Sequence, residues 1–128
     1  MIQGLNHFTI LASQREATLA FYVGLLGLRE GPRPNFDFPG AWLYADGPEA
    51  VLHVVLGRTP ASTLPGTIDH VAFNARDLAG TQARLQAAGV AMDLRPLLPG
   101  APLQLFVRDP DGVRVELCFD PAEHTQRA

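Results

Sequence analysis

Four residues able to hold a metal ion stand at repeating positions in this chain. His7 and His70 are 63 residues apart, and so are His53 and Glu116. Each lies in an apolar, strand-like context: "LNHFTI" around His7, "AVLHVVL" around His53, "IDHVAF" around His70 and "VRVELCF" around Glu116. Neutral imidazole and carboxylate oxygen are suitable ligands for zinc, nickel, iron, cobalt and manganese. A carboxylate buried without a partner costs several kcal/mol, and a divalent cation removes that penalty. Three of the chain's four histidines share this pattern with one glutamate. The fourth, His124, lies in the polar tail "DPAEHTQRA" and reads as a solvated residue at a frayed end.

The elements that must position these residues follow from periodicity. "LNHFTILA" alternates as a strand, with His7, Thr9 and Leu11 on one face. Ser13 and Glu16 have capping-box spacing, and the helix they open places Leu19, Tyr22, Val23 and Leu26 on one side, ending at Gly27. "LRE" is a short strand. "GPRPNFDFPG" is a loop whose Phe36 and Phe38 are candidates to line a pocket. The strands "AWLYA" and "AVLHVVL" follow.

After a turn-rich link over 57–66 the same order returns. "TIDHVAFNA" is a strand, and a helix runs from an Asp77 cap to Gly89. "VAMDL" is a short strand, "LQLFVR" a longer one, and "DPDG" a turn with Pro110 second and Gly112 last. "VRVELCF" closes the series. Each half is therefore strand, helix and three strands, and two copies make the chain. If the copies pack about a pseudo-two-fold axis, His7, His53, His70 and Glu116 converge.

The matching stretches "LNHFTI", "FYVGLLGL", "DHVAF" and "VRDPDGVRVEL" resemble the vicinal oxygen chelate superfamily, which includes glyoxalase I, methylmalonyl-CoA epimerase, fosfomycin-resistance transferases, bleomycin-binding proteins and extradiol dioxygenases. The resemblance covers nearly the whole chain. It implies an α+β fold in which two βαβββ modules form curled mixed sheets around a metal cleft. One glyoxalase-like domain would fill residues 1–128, with module one at about 1–57 and module two at about 66–120. It also implies one divalent transition metal per site (Ni, Zn, Co, Fe or Mn) on His7, His53, His70 and Glu116, and a homodimer that often completes the site.

Coordination number separates the chemistries. Four protein ligands leave two positions of an octahedral shell, which suit a small substrate chelating through adjacent oxygens. That favours lyase or isomerase chemistry through a metal-stabilised enediolate, with Glu116 as the catalytic base. If His53 stands off the metal, two histidines and one carboxylate form the facial triad of an Fe(II) extradiol-type dioxygenase. A third reading is a non-catalytic small-molecule binding or resistance protein, although bleomycin-binding relatives generally lack this ligand set. One departure matters: glyoxalase I enzymes usually carry glutamate where His53 stands. Phe36, Phe38 and Trp42 would line the substrate side, favouring a partly apolar or planar molecule. Arg108 and Arg114 flank the "DPDG" hairpin and read as solvated.

Composition bounds the rest. The 128 residues suffice for one core without staples, and hydrophobic content of 47% argues against disorder. A net charge of −3 offers no basic footprint for nucleic acid or anionic lipid. No apolar run reaches the roughly 18 residues of a membrane span, and no signal peptide is evident. The single cysteine, Cys118, reads as a small strand residue in a reducing compartment. The expectation is a cytoplasmic protein with a small-molecule substrate and neither nucleic-acid nor membrane partners.

Overall fold

The computed structural model describes residues 1–58 and 66–126, so most of the 57–66 link lies outside the described residues. The chain divides into two compact units, Met1–Ser62 and Thr63–Ala128, each holding one four-stranded mixed sheet.

In the first unit β1 (Phe8–Ala12), β2 (Arg29–Gly31), β3 (Gly40–Tyr44) and β4 (Ala50–Leu56) are ordered β1-β4-β3-β2. β1 runs parallel to β4, while β3 is antiparallel to both β4 and β2. Alternation sorts the faces. Ile10, Ala12, Ala41, Leu43, Leu52 and Val54 are buried on one side. The register Thr9↔His53 and Trp42↔His53 sets a row of chemistry-bearing residues on the other.

The first helix departs from the spacing argument. Gln14, not Ser13, occupies the cap position, and the Gln14 side chain makes no capping hydrogen bond. α1 (Arg15–Leu19) passes directly into a π-helical stretch, Ala20–Leu25, closed by the i→i−5 bond from Leu26 N to Phe21 O. The wider turn shifts the phase of the apolar stripe. Thr18, Phe21 and Tyr22 are buried, while Leu19, Val23 and Leu26 are only half-buried.

The second unit repeats the topology. β5 (Val71–Asn74), β6 (Asp93–Leu94), β7 (Leu103–Arg108) and β8 (Arg114–Phe119) are ordered β5-β8-β7-β6, with β5 parallel to β8. α2 (Leu78–Ala87) buries Leu78, Thr81 and Leu85, and the sheet buries Leu103, Leu105, Val107, Val115, Leu117 and Phe119. Gly27 and Gly89 follow the helical segments with φ of +84° and +69°, left-handed values that glycine tolerates. The "DPDG" turn closes through Gly112 N donating to Asp109 O.

The tail is not frayed over its described part. A 3-10 segment, Pro121–Gln126, follows β8, and Glu123 Oε2 accepts the Leu78 backbone N–H at 2.6 Å. A carboxylate at the first turn of α2 satisfies an N–H that has no partner within the helix, which anchors the segment.

Candidate functional site

The repeat survives at the level of sheet register. His7 and His70 each sit one residue ahead of the first strand of their unit, rather than inside it. Two residues on, Thr9 pairs with His53 and Ala72 pairs with Glu116, so each parallel strand pair brings its two candidate ligands together at one edge of the ladder. The aromatic partners also correspond: Trp42 is opposite His53, and Phe106 is opposite Glu116.

In the second unit the pair is joined by close polar contacts. His70 Nε2 lies 2.9 Å from Glu116 Oε2. His70 Nδ1 lies 2.7 Å from Asp69 Oδ2, which also accepts from Arg114 Nη1 at 2.6 Å. Gln104 Nε2 donates to Glu116 Oε1. Glu116 is only 5% exposed although it lies on the open-face row, because these neighbours cover it. His70 stands edge-on to Phe106, and the Arg114 guanidinium lies 4.2 Å from that ring's centre. Arg114 is therefore not a solvated residue: its side chain is 25% exposed and spent on Asp69 and Phe106. Hydrogen bonding to His70, then to Arg114, holds the Asp69 carboxyl below the usual carboxylate range.

In the first unit the contact is a stack. His7 and His53 rings lie 3.7 Å apart at 16°, and Trp42 lies 4.0 Å from the other side of the pair at His53, at 11°. His7 Nδ1 is 2.8 Å from Asn6 Oδ1. Burial foremost, then the neighbouring His7, lowers the His53 pKa, against a hydrogen bond to the Ala50 backbone that raises it. Both effects favour the neutral imidazole, the form a ligand needs. An imidazole lone pair lies in the ring plane. Two planes so nearly parallel do not meet within a metal–nitrogen distance of about 2.1 Å. As stacked, His7 and His53 cannot both point at one ion, and one ring must turn before both bind.

The aromatic residues of the loop continue this row. Phe36 and Phe38 are exposed (42% and 36%) and stack on each other at 5.1 Å, and Phe36 lies 6.3 Å from Trp42. Arg33 lies over both phenylalanines at 4.9 and 5.0 Å and donates to the Phe38 carbonyl. Tyr44 donates its hydroxyl to the Pro32 carbonyl and so braces the same loop.

Among the described residues, no group of three or more histidine, cysteine, aspartate or glutamate side chains gathers closely enough to hold a metal ion. Within each unit the structure brings His7 to His53 and His70 to Glu116. Cys118 is half-buried in β8, and its thiol pKa is pushed up by burial and then by the Glu116 charge, which keeps it protonated. Spacing alone missed Asn6, Asp69, Gln104, Arg33 and Phe106, and it read Arg114 as solvated. The repeat did carry a signal for two of these, since Asn6 and Asp69 occupy the same slot before their histidines.

The profile of the Glyoxalase/Bleomycin resistance protein/Dioxygenase superfamily matches residues 4–117. The chain belongs to this superfamily. It is 27% identical over 126 residues to Glyoxylase I 4 of Arabidopsis thaliana, covering 91% of this chain and 71% of that protein. Its fold is similar to that of the fosfomycin resistance protein FosX from Listeria monocytogenes, solved as a variant complexed with Mn(II) and 1S,2S-dihydroxypropylphosphonic acid. There the TM-score is 0.74 at 21% identity, with all of both chains covered. It is also similar in fold to TnmS3, an antibiotic binding protein from Streptomyces sp. CB03234, with a TM-score of 0.68 at 24% identity over 93% of this chain and 97% of that one. The expected α+β fold of paired βαβββ units is the fold observed.

Proposed function

We propose that this glyoxalase-superfamily chain is a divalent-metal-dependent enzyme acting on a small substrate that chelates through adjacent oxygens, by lyase or isomerase chemistry. The single observation that carries this reading is the 2.9 Å approach of His70 Nε2 to Glu116 Oε2 while Asp69 occupies His70 Nδ1. Two ligands bound at a right angle, each about 2.1 Å from one ion, stand about 3.0 Å apart. The donor set, imidazole nitrogen and carboxylate oxygen, fits a divalent transition ion.

In this reading His7, His53, His70 and Glu116 are the ligands of the ion, and the protein works as a homodimer. The ion, when bound, supplies Lewis acidity to a substrate carbonyl. Glu116 accepts the proton from the adjacent carbon, with Gln104 keeping its second oxygen in place. Phe36, Phe38 and Trp42 offer the flat apolar surface that orients the substrate and excludes water. A lone cysteine and a net charge of −3 are in keeping with work on a small molecule in a reducing, cytoplasmic compartment.

The stack supports a second reading. Held between His7 and Trp42, His53 stands off the ion, leaving His7, His70 and Glu116 as the facial triad of an Fe(II) dioxygenase.

Elemental analysis of protein purified without chelator or nickel resin tests both readings. Nickel, zinc, cobalt or manganese at about one per site supports the first. Iron together with oxygen uptake supports the second. Protein that takes up none of these metals rejects both and leaves a binding module.

A further inference from the structure

We propose that an arginine-walled cleft beside the His70–Glu116 pair binds the anionic group, carboxylate or phosphate, of the substrate. That the occupant is the substrate rests on the metal-site reading above, whereas the preference for an anion rests on the cleft's own lining.

The cleft lies in the second unit, holds about 500 Å³, and has Arg95, Phe106, Arg108 and Arg114 in its lining. Strand register ties it to the candidate site. Phe106 is the partner of Glu116, and Arg108 is the partner of Arg114 on the same face of the sheet. His70 stands edge-on to that Phe106 ring, 5.4 Å between centres. Arg114 comes two residues before Glu116 along β8, a rise of about 7 Å. A substrate chelating at His70 and Glu116 therefore meets the arginines with a group about 7 Å along the strand.

Two arginines directly opposite each other in an antiparallel ladder repel and cost stability. The first unit avoids the arrangement: Ala45 and Val51 stand 63 positions before Arg108 and Arg114. One copy of the unit thus folds without this pair, so the fold does not require it. An anion between the two guanidinium groups turns the repulsion into attraction.

Asp69 and Asp93 also line the cleft, and both are engaged. Asp69 accepts from Arg114 Nη1 at 2.6 Å, and Asp93 Oδ2 lies 3.1 Å from Arg95 Nε. Arg108 donates Nη1 to the Gly112 carbonyl rather than to a carboxylate. Three guanidinium groups thus face two carboxylates, and one positive charge is left over. The Asp93 contact uses Nε, which leaves both terminal nitrogens of Arg95 without an acceptor among the described residues. The Arg95 and Arg114 guanidinium groups lie 5.4 and 4.2 Å from the centre of the Phe106 ring, contacts that favour a fixed placement. A guanidinium fork matches two oxygens of a carboxylate or phosphate. Arg95 and Arg108 are the donors to the anion, and Arg114, held by Asp69, closes the wall nearest Glu116.

The test titrates inorganic phosphate and, separately, acetate into the metal-free full chain at low ionic strength. ¹H–¹⁵N NMR of backbone amides and arginine Nε–H groups reads the binding. Saturable shifts at Arg95, Phe106 and Arg108 are expected, and the anion that binds more tightly identifies the substrate's charged group. Arg95→Gln and Arg108→Gln should each weaken that binding about 10-fold. Arg29→Gln, which removes an arginine from β2, should leave it unchanged. No saturable shift with either anion overturns the inference, and so does equal weakening in Arg29→Gln and Arg108→Gln. Zn²⁺ uptake in chelator competition without anion binding overturns the cleft and leaves the metal reading standing. Anion binding by a chain that takes up neither Zn²⁺ nor Mn²⁺ upholds the cleft and overturns the metal reading instead.

Discussion

Glu116 is the residue on which two demands conflict. Its carboxylate is 5% exposed, and its partners are the Gln104 amide, the His70 imidazole and the Cys118 thiol, none of them a fixed cation. Burying such a charge is costly without a compensating cation. Glu116→Gln keeps the shape and removes the charge. The metal-free variant should therefore melt at or above the wild-type temperature, while Zn²⁺ affinity falls by at least about 100-fold, beyond the loss that a supporting residue causes. Unchanged Zn²⁺ affinity in chelator competition would count against a metal role, and a lower melting temperature by calorimetry would count against an uncompensated charge at Glu116. His70→Ala should likewise lose most bound metal by elemental analysis, whereas His124→Ala, in the 3-10 segment after β8, should keep it. Equal retention in the two would remove His70 from the site. Residue types and the 63-residue offset made these candidates legible. Which nitrogen of His70 faces Glu116 was not legible, because Asp69 and Arg114 decide it through torsions no pattern encodes.

At the scale of the element, the N-terminus of α2 shows how segments distant in sequence share one task. Asp77 Oδ1 accepts from Gly80 N at 3.0 Å, and Glu123 Oε2 accepts from Leu78 N at 2.6 Å. Two of the helix's first N–H groups are thus satisfied, one locally and one from after β8. Asp77→Ala and Glu123→Ala should each lower unfolding free energy by about 1 kcal/mol, read as a lower urea midpoint at unchanged slope. Gly80→Ala should also destabilise, since an added Cβ would lie 2.1 Å from Asp77 Oδ2 and would have to displace the capping carboxylate. If Glu123→Ala matches wild type, the tail does not brace the helix. The Asp77 cap was readable from the sequence because capping by an adjacent aspartate is a local property. The Glu123 contact was not, because it joins residues 45 positions apart. The first helix formed with Tyr22 buried as expected, but its π-helical stretch buried Phe21 beside it and left Leu19, Val23 and Leu26 half-buried, a phase that an assumed period of 3.6 cannot report.

For the whole molecule, the repeat and the superfamily match agree: two βαβββ units, each with sheet order first-fourth-third-second. A metal held by the native chain and not by the unfolded one raises stability by mass action, about 2.7 kcal/mol at a free concentration 100 times Kd. Chelator-stripped protein should accordingly melt several degrees lower than protein resupplied with Zn²⁺ or Mn²⁺. His124→Ala should show the same gain as wild type, and His70→Ala little. A melting temperature indifferent to chelator and metal in the wild type would leave the proposed centre without thermodynamic support. What the sequence determined by itself was the duplicated strand-helix-strand order, the superfamily and the types of the candidate ligands. Those rest on periodicity and on an internal copy, which are properties of neighbouring residues. Only the tertiary structure decided that His53 lies stacked between His7 and Trp42, that Asp69 and Arg114 orient His70, and that Glu116 is covered. These depend on strand register and packing between residues far apart along the chain, where one torsion turns a lone pair toward a partner or away from it.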